Sequence, residues 1–200
     1  MVTIETFPPL ATIDGWPINI ADERQVIYAI VGAAGRWESF AVFTLNLDHL
    51  DKLRRDPKFR DAYARARFIT ADGAPVALLA SRQNERIKRT AGADLVVPLA
   101  RSAAQHRLPI YLLGTSPEVR SGATSYLKQV TGNGLDIVGG TSPERDFDPE
   151  GPAADAALDS IAESGGRLCF VALGAPKQEI FAARAVARGV EVGFICIGAG

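Results

Sequence analysis

Apolar residues fall along this chain in short continuous runs separated by stretches of helical periodicity. The runs lie at 41–46 (Ala-Val-Phe-Thr-Leu-Asn), 67–71, 109–113 (Pro-Ile-Tyr-Leu-Leu), 135–138, 168–173 (Leu-Cys-Phe-Val-Ala-Leu) and 192–197 (Val-Gly-Phe-Ile-Cys-Ile). They read as strands buried on both faces, because a half-exposed strand would alternate apolar and polar positions. Between them, helical spacing covers about 22–34, 47–65, 74–83, 93–106, 117–130, 152–164 and 177–188, and Leu95, Val96, Leu99 and Ala103 form one such apolar stripe. This alternation predicts an α/β fold, a parallel sheet of about six strands with helices on both faces. Residues 8–20 differ: Asp14-Gly15 between apolar flanks predicts a small N-terminal β-hairpin. The longest predicted loop is 139–152. No repeat, low-complexity tract or linker divides the chain, so residues 1–200 read as a single domain. The sequence stops at Gly198-Ala199-Gly200, directly after a strand that should feed a helix, which predicts a missing C-terminal piece.

Composition works by exclusion. At 200 residues, 47% hydrophobic and 22% charged, the chain is neither disordered nor fibrous. No apolar run approaches the ~20 residues of a membrane span, and the N-terminus lacks the basic and apolar regions of a secretory signal. Cys169 and Cys196 sit inside apolar runs and read as buried, reduced thiols. Two histidines and no C-x-x-C argue against a zinc enzyme. The net charge is −1, yet residues 52–89 carry eleven Lys/Arg against four acids, a local +7. Solvated helix faces account for that excess, as does a cationic surface for phosphates or an anionic membrane. Low overall charge without aromatic platforms speaks against nucleic acid.

In open parallel sheets, ligands bind outside the carboxyl ends of the strands. The predicted ends here are Thr44-Leu45-Asn46, Ala71-Asp72-Gly73, Gly114-Thr115-Ser116, Gly139-Gly140-Thr141, Gly174-Ala175-Pro176 and Gly198-Ala199-Gly200. Small and polar residues on one edge, followed by helix N-termini, favour a phosphate-bearing ligand. The glycine patterns of dinucleotide folds and P-loops are absent, as is G-x-S-x-G. Asp72 reads either as the N-cap of 74–83 or as a general base at the sheet edge. Arg89 is a candidate partner for a diphosphate, whereas Asp94 also fits a helix-dipole role. In Gly174-Ala175-Pro176-Lys177-Gln178-Glu179, Pro176 suits a first helical position. Lys177 and Gln178 suit anion and hydroxyl binding, and Glu179 fits either substrate contact or first-turn dipole decoration.

Taken in order, Thr44-Leu45-Asn46, Ala71-Asp72-Gly73, Arg89 to Leu95, Leu112-Leu113-Gly114 and Gly174 to Glu179 resemble the motifs of the WecG/TagA/CpsF family of bacterial glycosyltransferases, across residues 10–200. The resemblance implies a Rossmann-like sheet and an inverting transfer of a sugar from a UDP-sugar to a polyprenyl-diphosphate-linked saccharide. It implies no metal and no cofactor. The sugar would be N-acetylmannosamine, its uronic acid, glucose or glucuronic acid, in teichoic acid, common antigen, capsule or exopolysaccharide synthesis. Asp72 would then deprotonate the acceptor hydroxyl and Arg89 would stabilise the departing diphosphate. Thr44, Asn46 and Gln178 would orient the sugars. Gly73, Asp94, Gly114, Thr115, Gly174, Pro176, Lys177 and Glu179 complete the expected substrate site. The resemblance further implies a basic, apolar C-terminal appendage that meets the inner face of the plasma membrane, and this is the piece expected to be missing beyond Gly200. A homo-oligomer is compatible with this picture. The loop at Gly139-Gly140-Thr141-Ser142-Pro143 departs from the family's more aromatic pattern. Two competing readings remain: a binding module for a nucleotide or sugar phosphate without turnover, and an NAD(P)-linked oxidoreductase, which the missing glycine fingerprint disfavours.

Overall fold

A computed structural model describes residues 7–198. An antiparallel hairpin, β1 (Ala11–Ile13) and β2 (Trp16–Ile18), turns through Asp14 and Gly15 at φ +51° and +82°, the left-handed pair that a tight hairpin turn requires. Helix α1 (Glu23–Gly35) follows, capped by Asp22, whose side chain accepts from the Gln25 amide. Then come β3 (Phe40–Leu45), α2 (Leu47–Arg55), α3 (Pro57–Tyr63), β4 (Phe68–Ala71), α4 (Ala74–Gln83), a 3-10 turn at Ala93–Leu95 and α5 (Val96–His106). The second half runs β5 (Ile110–Gly114), α6 (Pro117–Val130), β6 (Ile137–Thr141), α7 (Pro152–Glu163), β7 (Leu168–Ala172), α8 (Lys177–Ala187) and β8 (Gly193–Cys196).

The six strands β3 to β8 form one parallel sheet in the order β4-β3-β8-β7-β5-β6. Period-two alternation divides its side chains between two cores. Ala41, Phe43, Leu45, Cys169, Val171, Phe194 and Cys196 meet the hairpin, α2, α3, α4, α7 and α8. Phe40, Val42, Leu168, Phe170 and Ile195 meet α1, α5 and α6. Both cysteines are free and fully buried, and burial pushes their thiols well up.

Two expectations are corrected. The helical stretch expected over 47–65 is two helices, because Pro57 holds Asp56 in an extended conformation (φ −108°, ψ 108°) and the Asp56 carboxylate caps α3 through the Lys58 and Phe59 amides. The strand expected at 135–138 lies at 137–141, so Gly139-Gly140-Thr141 is ladder rather than loop. Tyr111 explains it: a Cβ on Gly139 would stand 2.7 Å from its ring, so the glycine leaves room for the ring to pack between β5 and β6, where its hydroxyl meets Thr141 and Ser160.

At the outer margin of β4 the Asn19 side chain accepts from the Ile69 amide (2.8 Å) and donates to the Arg67 carbonyl (2.8 Å). The Asn19 and Ile20 amides reach the Ile69 carbonyl, and the Thr90 amide reaches that of Ala71 (2.7 Å). These bonds fix β4, and therefore the residues that leave its end.

Candidate functional site

The carboxyl ends of the strands bring most of the expected residues to one edge of the sheet. Asn46 ends β3 and caps α2: its Oδ1 accepts from the His49 amide (2.9 Å), which leaves its Nδ2 to donate to Asp72 Oδ2 (3.3 Å). Asp72 follows β4 and is half-buried, with its Oδ1 accepting from the Gly73 amide (2.7 Å). The N-cap of α4 is Gly73, at φ +72°, and no side chain caps that helix. Asp72 therefore does not serve α4 as a cap. Its carboxylate is steadied by two N–H donors and keeps free lone pairs.

The segment 89–94 crosses this edge. The bond from the Thr90 amide to the Ala71 carbonyl and one from Thr70 Oγ1 to the Thr90 carbonyl (2.8 Å) tie it to β4. Gly92 lets it pass β8, since a Cβ there would lie 2.5 Å from the Cys196 carbonyl oxygen. Arg89 and Asp94, both half-exposed, form an ion pair (Nη1 to Oδ2, 2.9 Å).

The segment 174–179 enters α8 through a cis Ala175–Pro176 bond, with Pro176 at the N-cap and Lys177 first in the helix. Gln178 is 3% exposed; its Oε1 accepts from the Gly198 amide (3.0 Å) and its Nε2 donates to Glu179 Oε1 (2.7 Å), so one amide N–H remains. Glu179 is 0% exposed and presents no surface to a substrate. Burial pushes its carboxyl up to about 7. His49 Nε2 lies 4.0 Å from Glu179 Oε1, and burial lowers the imidazole's basicity. The Thr44 carbonyl accepts from the Tyr63 hydroxyl and meets His49 Nδ1, so Thr44 is buried and acts here through its backbone.

A second feature occupies the same edge. Between the ends of β5, β6 and β7 lies a cleft of about 460 Å³, lined by Thr115, Ser116, Ser142, Arg145, Leu173 and Lys177 among others. This volume falls in the range of small-ligand sites. Gly114, at φ +113°, makes the turn into it: a Cβ there would sit 2.2 Å from the Ala172 carbonyl oxygen. Lys177 Nζ donates to the Arg145 carbonyl (2.9 Å). The cleft stands where the chain leaves adjacent strands toward opposite faces, α6 to one and α8 to the other. Among the described residues, no three His, Cys, Asp or Glu side chains converge as metal ligands would.

Residues 11–200 match the sequence profile of the glycosyl transferase WecG/TagA/CpsF family, nearly the whole chain. The chain belongs to this family. WecG/TagA/CpsF membership makes it a glycosyltransferase of polysaccharide biosynthesis, with a sugar donor and an acceptor as substrates. The expected site residues divide into an open set, Asn46, Asp72, Gly73, Arg89 and Asp94, a buried set, Thr44, Gln178 and Glu179, and a set at the cleft, Thr115 and Lys177 with Gly114 at its turn, while Gly174 and Pro176 lead into α8. Sequence reasoning missed His49, Tyr63, Ser142 and Arg145. His49 did leave a signal, since it shares a helical stripe with Leu50 and Leu53, all three buried on α2. No helix among the described residues is long and apolar enough to cross a membrane.

Proposed function

We propose that this glycosyltransferase moves a sugar, with inversion, from a UDP-sugar to a polyprenyl-diphosphate-linked saccharide. The observation that carries the reading is Asp72, an uncapping carboxylate held by Asn46 and Gly73 at the open end of β4. Asp72 takes the proton of the acceptor hydroxyl as that oxygen bonds to the anomeric carbon. The anomeric carbon–phosphate bond breaks on the opposite face, and its electron pair leaves with UDP. Arg89 meets the charge that develops on the diphosphate, exchanging its single carboxylate partner Asp94 for a more highly charged one. Charge stabilisation by Arg89 and Lys177 makes the reaction independent of a divalent metal. The remaining N–H of Gln178 and the Asn46 amide orient the sugars.

The nucleoside fits the cleft by Thr115, Ser116, Arg145 and Lys177. From β7 to β4 is three strand spacings, about 14 Å. A nucleotide sugar laid along the edge spans that interval, its diphosphate passing beneath the 89–94 segment and its sugar reaching Asp72.

A lipid-linked acceptor sets this edge against the inner leaflet of the plasma membrane. The solvent stripe of α4, the helix that starts beside Asp72, supports this: it carries Leu78 (56% exposed) and Leu79 (45%), and exposed Arg82, Arg86 and Lys88 lie at and beyond its end. Apolar and cationic side chains together suit an anionic interface.

A panel of radiolabelled UDP-sugars with a synthetic lipid-diphosphate acceptor tests the reading. One sugar is expected to pass to the acceptor with inverted anomeric configuration. Binding of UDP without turnover of any donor would make the chain a binding module instead.

A further inference from the structure

The buried polar layer under the edge lies outside the transfer chemistry. Glu179 is wholly inaccessible, and its Oε2 has no hydrogen-bond partner among the described residues. A bare carboxylate in that position is costly. His49, 5% exposed, faces it. The His49 tautomer follows from its neighbours: Nδ1 meets the Thr44 carbonyl, which can only accept, and the Tyr63 oxygen (2.7 Å), whose own hydrogen goes to Thr44, so Nδ1 carries the hydrogen and Nε2 holds a lone pair toward Glu179. Two unprotonated groups 4.0 Å apart in a buried layer repel, and a proton on one of them removes that repulsion.

We propose that His49 and Glu179 form a buried pair that holds one proton, and that this pair positions Gln178 under the catalytic edge. The proton sits on Glu179 and the imidazole is neutral, so the pair carries no net charge; burial acts in that direction on both groups. Glu179 Oε1 presents an acceptor to Gln178 Nε2. This turns the Gln178 oxygen toward the Gly198 amide and fixes where its spare N–H points. The charged and titratable groups around the pair are Asp48 and Lys52 on α2, which act on Glu179 in opposite senses, Tyr63 on α3, Asp72 at the end of β4 and the Cys196 thiol on β8. The one-proton pairing stands on its own; the positioning role rests on the transfer reading above.

Linkage separates the two. Between about pH 5 and 6.5 the folded pair holds one proton on Glu179, and the unfolded chain also holds one, on histidine, so the wild-type pair adds no slope to stability against pH. Glu179→Gln leaves a folded neutral His49 against an unfolded charged one, so its stability relative to wild type falls on acidification. His49→Gln leaves a folded protonated Glu179 against an unfolded carboxylate, so its relative stability falls as pH rises. Each slope approaches a tenfold change in the unfolding constant per pH unit, with opposite signs, and the double variant is flat again. Urea unfolding of the four proteins from pH 5 to 6.5 reads this without substrate. In parallel, ¹⁵N shifts of the wild-type His49 ring at pH 6 are expected to report the neutral Nδ1–H form.

For positioning, Glu179→Ala is expected to lower kcat/KM for transfer at least tenfold. Glu179→Gln restores most of it, because its amide supplies both the acceptor for Gln178 and a donor toward His49. Slopes of the same sign, or a cationic His49 at pH 6, overturn the pair. Opposite slopes with equal kcat/KM in Glu179→Ala and wild type keep the pair and overturn its positioning role.

Discussion

Replacing Asp72 by Asn separates chemistry from structure. The substitution keeps the size of the side chain and, through its oxygen, the bond from the Gly73 amide. The Asn46 contact is lost. Asn46 Oδ1 is committed to the His49 amide, so Asn46 cannot turn to offer an acceptor to the new amide nitrogen. That contact is long (3.3 Å) and half-buried, so its loss costs about 1 kcal/mol of stability, which for a chain of this size is a fall of about 2–4 °C in Tm. Turnover responds on another scale. A general base contributes about 10²–10⁴ in rate, and a hundredfold loss is about 2.7 kcal/mol of barrier. Asp72→Asn is therefore expected to lower kcat by at least a hundredfold while Tm moves only a few degrees and UDP affinity stays within about twofold. Transfer kinetics, UDP titration calorimetry and thermal unfolding on the same preparation measure all three. Near-normal kcat would leave Asp72 as a turn residue. A large loss of UDP affinity would assign it to the donor instead.

Arg89→Ala is expected to weaken UDP binding, and Arg89→Lys to recover only part of it, because a point charge cannot replace the planar fork; unchanged UDP affinity removes Arg89 from the donor site. Transfer is expected to survive EDTA, since Arg89 and Lys177 carry the compensating charge, and strict Mg²⁺ or Mn²⁺ dependence would contradict that arrangement. Wild-type protein is expected to co-sediment with vesicles containing anionic lipid at low salt and to be released as salt rises, with the pair Leu78→Glu and Leu79→Glu abolishing retention. Equal retention of that variant removes α4 from the membrane surface.

Local chemistry made much of the fold legible. The spans expected at 74–83 and 117–130 coincide with α4 and α6, because each begins with a proline in its first turn just after a strand end. The hairpin was written in Asp14-Gly15. The break at Asp56-Pro57 was also local, but the amphipathic pattern runs through it and outweighed the proline. The displacement of β6 was not local: Gly139 belongs in a ladder only because Tyr111, 28 positions earlier, packs over it. The site divides the same way. The placement of Asn46, Asp72 and Arg89 at one sheet edge could be read because strand ends and loops announce themselves in sequence. The pairing of His49 with Glu179 needs the first turns of α2 and α8, which follow β3 and β7, brought together at the sheet edge, and nothing near either residue encodes it. Glu179, which reads as substrate contact or helix-dipole decoration, is instead wholly buried.

The Asn19 contacts have a bearing on how copies of this protein meet. The rim of an open sheet is a row of unpaired peptide groups, and another molecule can extend it strand by strand into an aggregate. Along β4 the Ile69 amide and the carbonyls of Arg67, Ile69 and Ala71 are already bonded to Asn19, Ile20 and Thr90, none of them in a strand. An incoming chain finds most of that ladder taken. The stretch after the hairpin, together with Thr90, thus acts as a stopper for that rim, and copies of this chain do not merge their sheets at β4.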